Sequence, residues 1–402
     1  MPTRMETWSR LPPGQPILHG CVIFSQCWDR KSNLEPFSHP VQQPKNASEN
    51  ALAPDQSSRY FAIAFYWHTG ASFVTSSLPT STDRDSPTLD VVTNCWFLVG
   101  STASGKTEVS LSLAETIGAE IISLDSMAVY RGLDIGTAKP SREDQQRIPH
   151  HLLDLVEPTV EFNVTEYVNL AHQKVSDIRS RGREVLFTGG TPLYLKSLLR
   201  GLLSGPPADW EFRNQVEQEL QQVGLDALHA RLHQVDPLTA TRLHRHDKRR
   251  IIRALEYYKI TGQPISHQQT QFEEGRPAER CRVFVLAWPR PQLHERINSR
   301  VERMFADGLV AETRELLARH GSLSRTAMQA VGYREIIAHL EATCDLPETI
   351  ERCKARTRQF ARRQETWFRS LSECRWINQQ TGETPLQVAE RVCAAADANQ
   401  TH

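Results

Sequence analysis

The chain has no net charge: 47 Lys plus Arg stand against 47 Asp plus Glu in 402 residues. A strongly charged partner must therefore be met by local patches, because the chain as a whole attracts neither sign. Cysteine is sparse. The eight residues lie at 21, 27, 95, 281, 344, 353, 374 and 393, with no C-x-x-C pair and no Cys/His spacing of a zinc site. That argues against a disulfide framework and a structural zinc, and suits a reducing compartment. Long apolar runs are missing too. Residues 21–24 are too short for a signal-peptide core, and 60–67 fall far below the roughly 20 residues of a spanning helix. These absences predict a cytoplasmic protein without a membrane partner. His150-His151 and His244-x-His246 lack a third ligand, so no metal is expected on them.

Proline is unevenly spread. Ten of the 23 lie in residues 1–90, where Pro and Ser together make 22 positions. That stretch has no sustained period of 3.6 or 2, and its composition predicts a disordered or low-complexity extension. From Asn94 the pattern changes. Residues 95–99 (Cys-Trp-Phe-Leu-Val) form a continuous apolar run, as in a buried parallel strand. A helix is expected over 106–117, with further strands over 119–124, 184–187 and 282–287. Strands alternating with helices imply a parallel sheet covered on both faces. Four segments follow: 1–90, an α/β core over 91–205, a polar helical insertion over 206–280, and a largely helical completion over 281–396.

The sharpest motif is the run Gly100, Ser101, Thr102, Ala103, Ser104, Gly105, Lys106, Thr107. It matches G-x-x-x-x-G-K-[ST] and sits between an expected strand and an expected helix, as a nucleotide-binding phosphate loop requires. Backbone N–H groups and the helix N-terminus would meet phosphate oxygens, Lys106 would add a full charge, and the Thr107 hydroxyl can ligate Mg²⁺. The fold class read here is α/β: a P-loop NTPase-like parallel core with a helical insertion domain and a helical C-terminal region. The third expected strand ends in Thr188-Gly189-Gly190-Thr191 without a carboxylate. A group that activates water is thus missing, which suits a pyrophosphate that departs better than a γ-phosphate that transfers.

Asp125 ends the second expected strand, at the sheet edge where ligands bind in open α/β folds. A carboxylate there can act as general base or can cap the next turn. Residues 130–140 form a Gly-containing polar loop of the kind that could close over a substrate.

Several blocks occur in order: the phosphate loop, DSMAVYRGLDIGTAKP (125–140), PHHLLD (149–154), GGTPLY (189–194), RIIRALE (250–256), TGQP (261–264), AVGYRE (330–335) and TWFR (366–369). Together they resemble the tRNA isopentenyltransferase family, the tRNA dimethylallyltransferases, over about residues 94–370. The resemblance implies transfer of a dimethylallyl group from dimethylallyl diphosphate to N6 of adenosine-37, with Mg²⁺. The tRNAs would be those reading codons that begin with U, bound by their anticodon loop. Carried over, Asp125 is the base, Lys106 and Thr107 stabilise the leaving group, and Thr191 positions adenine or diphosphate. Asp125, Ser126, Met127 and Ala128 would meet the flipped base. Arg213, Arg249, Arg250, Ile251, Ile252 and Arg253 match segments that touch tRNA, as do Ala330, Val331, Gly332, Tyr333, Arg334 and Glu335. The chain departs from the family pattern at Ser101 (often Pro), Ala128 (often Gln) and Arg249 (often Gln). Ala128 lacks an amide that could hold the base, whereas Arg249 favours a phosphate contact.

Local charge agrees with an RNA partner. Residues 242–253 carry six basic side chains against one acidic, and 351–369 carry seven against two, a net +5 in each. The alternative from another class is a phosphate-loop nucleotide or small-molecule kinase, which would share the loop and an acceptor-binding Asp. No oligomer signal is present, and a monomer is expected.

Overall fold

The computed structural model describes residues 91–202, 205–269 and 275–398. The reading of 1–90 as a disordered or low-complexity extension lies outside the described residues. The apolar run at the start of the described part forms strand Trp96–Gly100 (β1), buried at all five positions. It is followed by helix Lys106–Ile117 (α1), strand Ala119–Ser123 (β2), helix Arg142–Arg147 (α2) and the two-residue strand His150–His151 (β3). Helix Val164–Ser180 (α3), strand Glu184–Gly189 (β4) and helix Pro192–Arg200 (α4) come next. Four consecutive helices then intervene: Trp210–Val235 (α5), Pro237–Arg242 (α6), Lys248–Thr261 (α7) and Ser266–Gln269 (α8). The chain resumes with strand Val283–Ala287 (β5) and helices Arg290–Ala306 (α9), Leu309–His320 (α10), Tyr333–Leu340 (α11) and Leu346–Arg369 (α12). Strand Cys374–Asn378 (β6) and helix Pro385–Asp397 (α13) complete it.

The six strands form one all-parallel sheet in the order β3-β2-β4-β1-β5-β6. From β1 the chain first builds outward on one side, then returns past β1 to build the other. The reversal falls at the carboxyl end of β1, the crevice where open α/β sheets take ligands. Alternation along the strands sorts two cores. Phe97, Val99, Val185, Phe187, Val283 and Val285 pack with α3 and α4 through Tyr167, Val175, Leu195 and Leu198. Trp96, Leu98, Ile121, Leu186, Phe284 and Leu286 pack on the other face with α1 and α13 through Leu111, Leu113, Val388 and Val392. Each such fully buried aliphatic or aromatic side chain contributes about 1.5–3 kcal/mol.

Two strands went unread in the sequence. β3 has only two residues, too few for a pattern. β6 reads Cys-Arg-Trp-Ile-Asn at a sheet edge, so only Ile377 is buried and its alternation is lost among helical neighbours. The region after Pro291 is therefore helical except for this strand.

The helices α5–α8 have a core of their own, built from Phe212, Val216, Leu228, Leu232, Ile251, Ile252, Leu255 and Tyr257. Asp236, 1% exposed, accepts from Thr239 N at 3.0 Å, Thr239 Oγ1 at 2.7 Å and Ser266 N at 3.0 Å, tying α6 to α8. Among the described residues no helix is long and apolar enough to cross a membrane.

Candidate active site

The phosphate loop runs from the end of β1 into α1. Four of its carbonyls accept from side chains. Lys106 Nζ donates to Gly100 O at 3.0 Å and Ser101 O at 2.7 Å. Arg296 Nε donates to Ala103 O at 2.9 Å, and Trp288 Nε1 and Gln379 Nε2 donate to Ser104 O at 3.2 and 2.8 Å. With the carbonyls held this way, the amides of the first turn of α1, which have no intrahelical acceptor, remain for an anion. Both loop glycines are required. A Cβ on Gly100 would lie 2.6 Å from Leu286 O of β5, and Gly105 caps α1 at φ 86°.

Two arginines of α9 join the loop, and neither was singled out from the sequence. Arg296 lies over the Trp288 ring, 4.8 Å from its centre, and grips the loop as described. Arg300 lies close enough to Lys106 for its charge to be felt there. Burial first, then Arg300, pushes the Lys106 ammonium down to about 7, with Asp125 opposing. Burial likewise lowers Arg300, again opposed by Asp125. A buried cationic pair that one carboxylate only partly offsets is a site prepared for a polyvalent anion.

Asp125 follows β2 by two residues and faces that pair across the same sheet edge. Its Oδ1 accepts from Met127 N at 2.8 Å and Ala128 N at 3.4 Å. Among the described residues Oδ2 has no hydrogen-bond partner. The turn-capping and the chemical readings of Asp125 are therefore compatible: one oxygen orients the carboxylate and the other is open. Thr191 caps α4 and accepts from Ser126 N through Oγ1 at 3.0 Å, while its own N–H goes to Leu124 O at 3.2 Å. It thereby fixes the segment that carries Asp125.

The loop 130–140 does not have the form of a lid. The Glu312 carboxylate accepts from the backbone N–H of Asp134 at 3.0 Å, Ile135 at 2.8 Å and Gly136 at 3.4 Å, and from Tyr333 Oη at 2.6 Å. Burial and Glu312 hold the Tyr333 phenol well above its usual range, so it stays a donor. Lys139 Nζ ties Tyr130 O, Asp134 and Asp154 together. This loop is a fixed wall.

Two hydroxyl groups at this edge could each serve a divalent cation. The Thr107 hydroxyl is exposed at the start of α1, and Thr188 Oγ1, at the end of β4, is buried without a partner. Among the described residues no group of three or more His, Cys, Asp or Glu could hold a metal alone. A cation here would take its remaining ligands from the bound anion and water.

The other residues singled out from the sequence fall into two sets. Arg249, Arg250 and Arg334 are exposed, and Val331, Ser126 and Met127 are half-buried. Ile251 and Ile252 are 0% and 4% exposed in the insertion's core, because their positions fall on the inner face of α7. Their side chains offer no surface to RNA. Ala128, Ala330, Gly332, Tyr333 and Glu335 are also buried. Arg213 and Arg253 both donate to Glu256, which is 0% exposed, Arg213 through Nε at 2.8 Å and Nη2 at 2.7 Å. Phe368 is fully buried, whereas Trp367 is 39% exposed beside Arg362 and Arg363.

The family model for IPP transferase matches residues 128–371. A tRNA dimethylallyltransferase of Rhodopirellula baltica is 54% identical over 303 residues, covering 73% of this chain and 90% of the relative. That of Geobacter metallireducens is 45% identical, covering 69% and 90%. Among solved structures, the full-length tRNA isopentenylpyrophosphate transferase of Bacillus halodurans aligns with a TM-score of 0.55 at 33% identity, over 77% of this chain and 98% of that one. A eukaryotic dimethylallyltransferase acting on tRNA aligns with a TM-score of 0.63 at 25% identity, over 76% and 79%. The ordered motifs, the loop-and-carboxylate site and these likenesses agree, and the chain belongs to the IPP transferase family.

Proposed function

We propose that the protein transfers a dimethylallyl group from dimethylallyl diphosphate to N6 of adenosine-37 in tRNA, giving the N6-prenylated adenosine and pyrophosphate. The observation that carries this is the juxtaposition at one sheet edge: a cationic phosphate loop on one side and the open Oδ2 of Asp125 on the other. The loop of Gly100 to Thr107 receives the diphosphate, and Lys106, Arg296 and Arg300 meet its charge. The allylic C–O bond breaks, the electron pair leaves with pyrophosphate, and N6 bonds to the allylic carbon. Asp125 takes the N6 proton. Charge developing on the leaving group is met by fixed donors, which is where electrostatic stabilisation is most effective. The Thr107 hydroxyl would hold Mg²⁺, which would supply further charge neutralisation when bound.

The adenine must leave the stack to reach Asp125, at a few kcal/mol, and an unpaired anticodon loop lowers that cost. Ser126, Met127 and Thr191 border the acceptor position. Exposed Arg249, Arg250, Arg334, Arg362 and Arg363 meet RNA phosphates, and tRNAs reading codons that begin with U are the substrates expected from the family resemblance.

The test is mass analysis of unmodified tRNA after incubation with Mg²⁺ and dimethylallyl diphosphate. A gain of one prenyl group at adenosine-37 is expected. Asp125→Ala should reduce the rate at least a thousandfold while tRNA binding survives. Rapid ATP hydrolysis with unmodified tRNA would favour the kinase reading instead.

A further inference from the structure

Gln364 lies on α12 and is 4% exposed, in a helix whose outer face is strongly basic. Its carboxamide has two partners from distant parts of the chain. Oε1 accepts from the backbone N–H of Thr102, inside the phosphate loop, at 2.9 Å. Nε2 donates to the carbonyl of Gly190, in the turn between β4 and α4, at 2.5 Å. A backbone donor on one side and a backbone acceptor on the other settle which way the amide points.

The two contacts join the two halves of the site. Gly190 immediately precedes Thr191, whose hydroxyl accepts from Ser126 N beside Asp125. One unbroken series of bonds thus runs from the phosphate loop through Gln364 to the segment that carries the acceptor carboxylate. The glycine pair at 189–190 fits this reading. A Cβ on Gly189 would lie 2.1 Å from Leu124 O, and one on Gly190 would lie 2.5 Å from Gln364 Nε2. The turn is therefore pressed between the Asp125 segment and the carboxamide, with no room for a side chain on either side.

We infer that Gln364 is a positioning residue that sets the separation between the diphosphate loop and the acceptor carboxylate. It touches neither substrate. In-line attack on an allylic carbon needs nucleophile and leaving group on opposite sides at a fixed distance, and a misplacement of about 1 Å can cost about a hundredfold in rate. Met is close in volume to Gln but makes neither hydrogen bond. Glu keeps the shape and can still accept from Thr102, but it cannot donate to Gly190.

The inference rests on the proposed prenyl transfer, so the unaltered enzyme is assayed beside the variants. If it does not prenylate tRNA, the functional reading fails and not this one. With an active parent, Gln364→Met and Gln364→Glu are expected to lower single-turnover transfer by tenfold to a hundredfold. KM for both substrates should stay within threefold and tRNA affinity should be unchanged, because the outer face of α12 is untouched. Gly190→Ala should give a similar loss. In the double variant Gly190→Ala/Gln364→Ala the added methyl meets the space the shortened residue leaves, so its loss should be no greater than that of Gln364→Ala alone. Transfer within twofold of the parent in both the Met and Glu variants overturns the inference. So does a rate loss that follows the folded fraction on heating and cooling, or a double variant whose losses simply multiply. If the Met variant fails to fold, the Glu variant and the Gly190 cycle decide.

Discussion

The segments at 242–253 and 351–369 carry the same net charge of +5 and use it differently. In the first, Arg253 joins Arg213 on the buried Glu256, while Arg245, Lys248 and Arg250 pair with Asp226, Glu217 and Asp247. Arg249 remains exposed without a salt-bridge partner among the described residues. In the second, Arg352, Lys354 and Arg356 pair with carboxylates and Arg358 donates to Asn298. Arg362 and Arg363 remain exposed, without a salt-bridge partner among the described residues, on the same helix as the exposed Trp367. The first run thus sends one guanidinium, that of Arg253, to the insertion's buried carboxylate and keeps its other cations at least partly exposed. The other builds a surface, with Gln364 on its inner side. A charge count finds both and cannot tell them apart, because burial decides which guanidinium still has its charge available.

The largest effect that would sharpen this contrast is on stability. Burial favours the neutral form of Glu256, but the bonds from Arg213, Arg253 and Asp209 N outweigh it and hold its carboxyl below the usual range. Glu256→Ala leaves two guanidinia unpaired and should cost about 3–5 kcal/mol in chemical denaturation. Glu335→Ala, whose partner Arg356 is half exposed, should cost less, about 1–3 kcal/mol. Because the folded Glu256 pKa is depressed, its contribution is present above the ordinary carboxylate pKa and is lost as pH falls through the folded value. The insertion should therefore loosen first in acid. Equal costs for the two glutamates would break the contrast.

A smaller effect concerns RNA. Arg362→Ala/Arg363→Ala should flatten the plot of log affinity against log salt by about 1.4–1.8, and Arg249→Ala by about 0.7–0.9, at one counterion-releasing contact per side chain. Arg253→Ala should lower stability and leave that slope unchanged. A slope change for Arg253→Ala equal to that for Arg249→Ala would show that burial does not sort these residues.

The smallest effect is a proton. Lys106, unlike the surface arginines, is held near pH 7 by burial and Arg300. Pyrophosphate should restore its charge, so binding at pH 8 should take up nearly one proton, read by calorimetry in buffers of different ionisation heat. Affinity should weaken as pH rises above about 7, by at most tenfold per unit. No uptake at pH 8 would mean that the ammonium is already charged before the anion arrives.

The parts of the site that were legible in the sequence are contiguous in it. The phosphate loop and Asp125 each follow an apolar strand, so a pattern of a few residues placed them at the sheet edge. Arg296, Arg300, Gln364 and Gln379 reach the loop from about 190 to 275 positions away, and nothing in their local pattern points to it. Gln364 sits in a helix whose charge drew attention to the opposite face. Ile251, Ile252 and Tyr333 lay within recognisable blocks, yet their patterns mark core faces rather than contacts. A motif fixes neighbourhood along the chain, whereas exposure depends on what packs against it.

The carboxylate of Glu312, seated in the backbone turn of Asp134, Ile135 and Gly136, has a kinetic consequence. Ordering a polar loop costs on the order of 1–2 kcal/mol per residue. Here that cost is met once, when the chain folds, by a side chain that occupies the amides an incoming anion would otherwise order. Substrate arrival then has no loop to organise at this wall. Turnover should carry no closing step from it, and the wall's amide protons should exchange with solvent equally slowly with and without ligand.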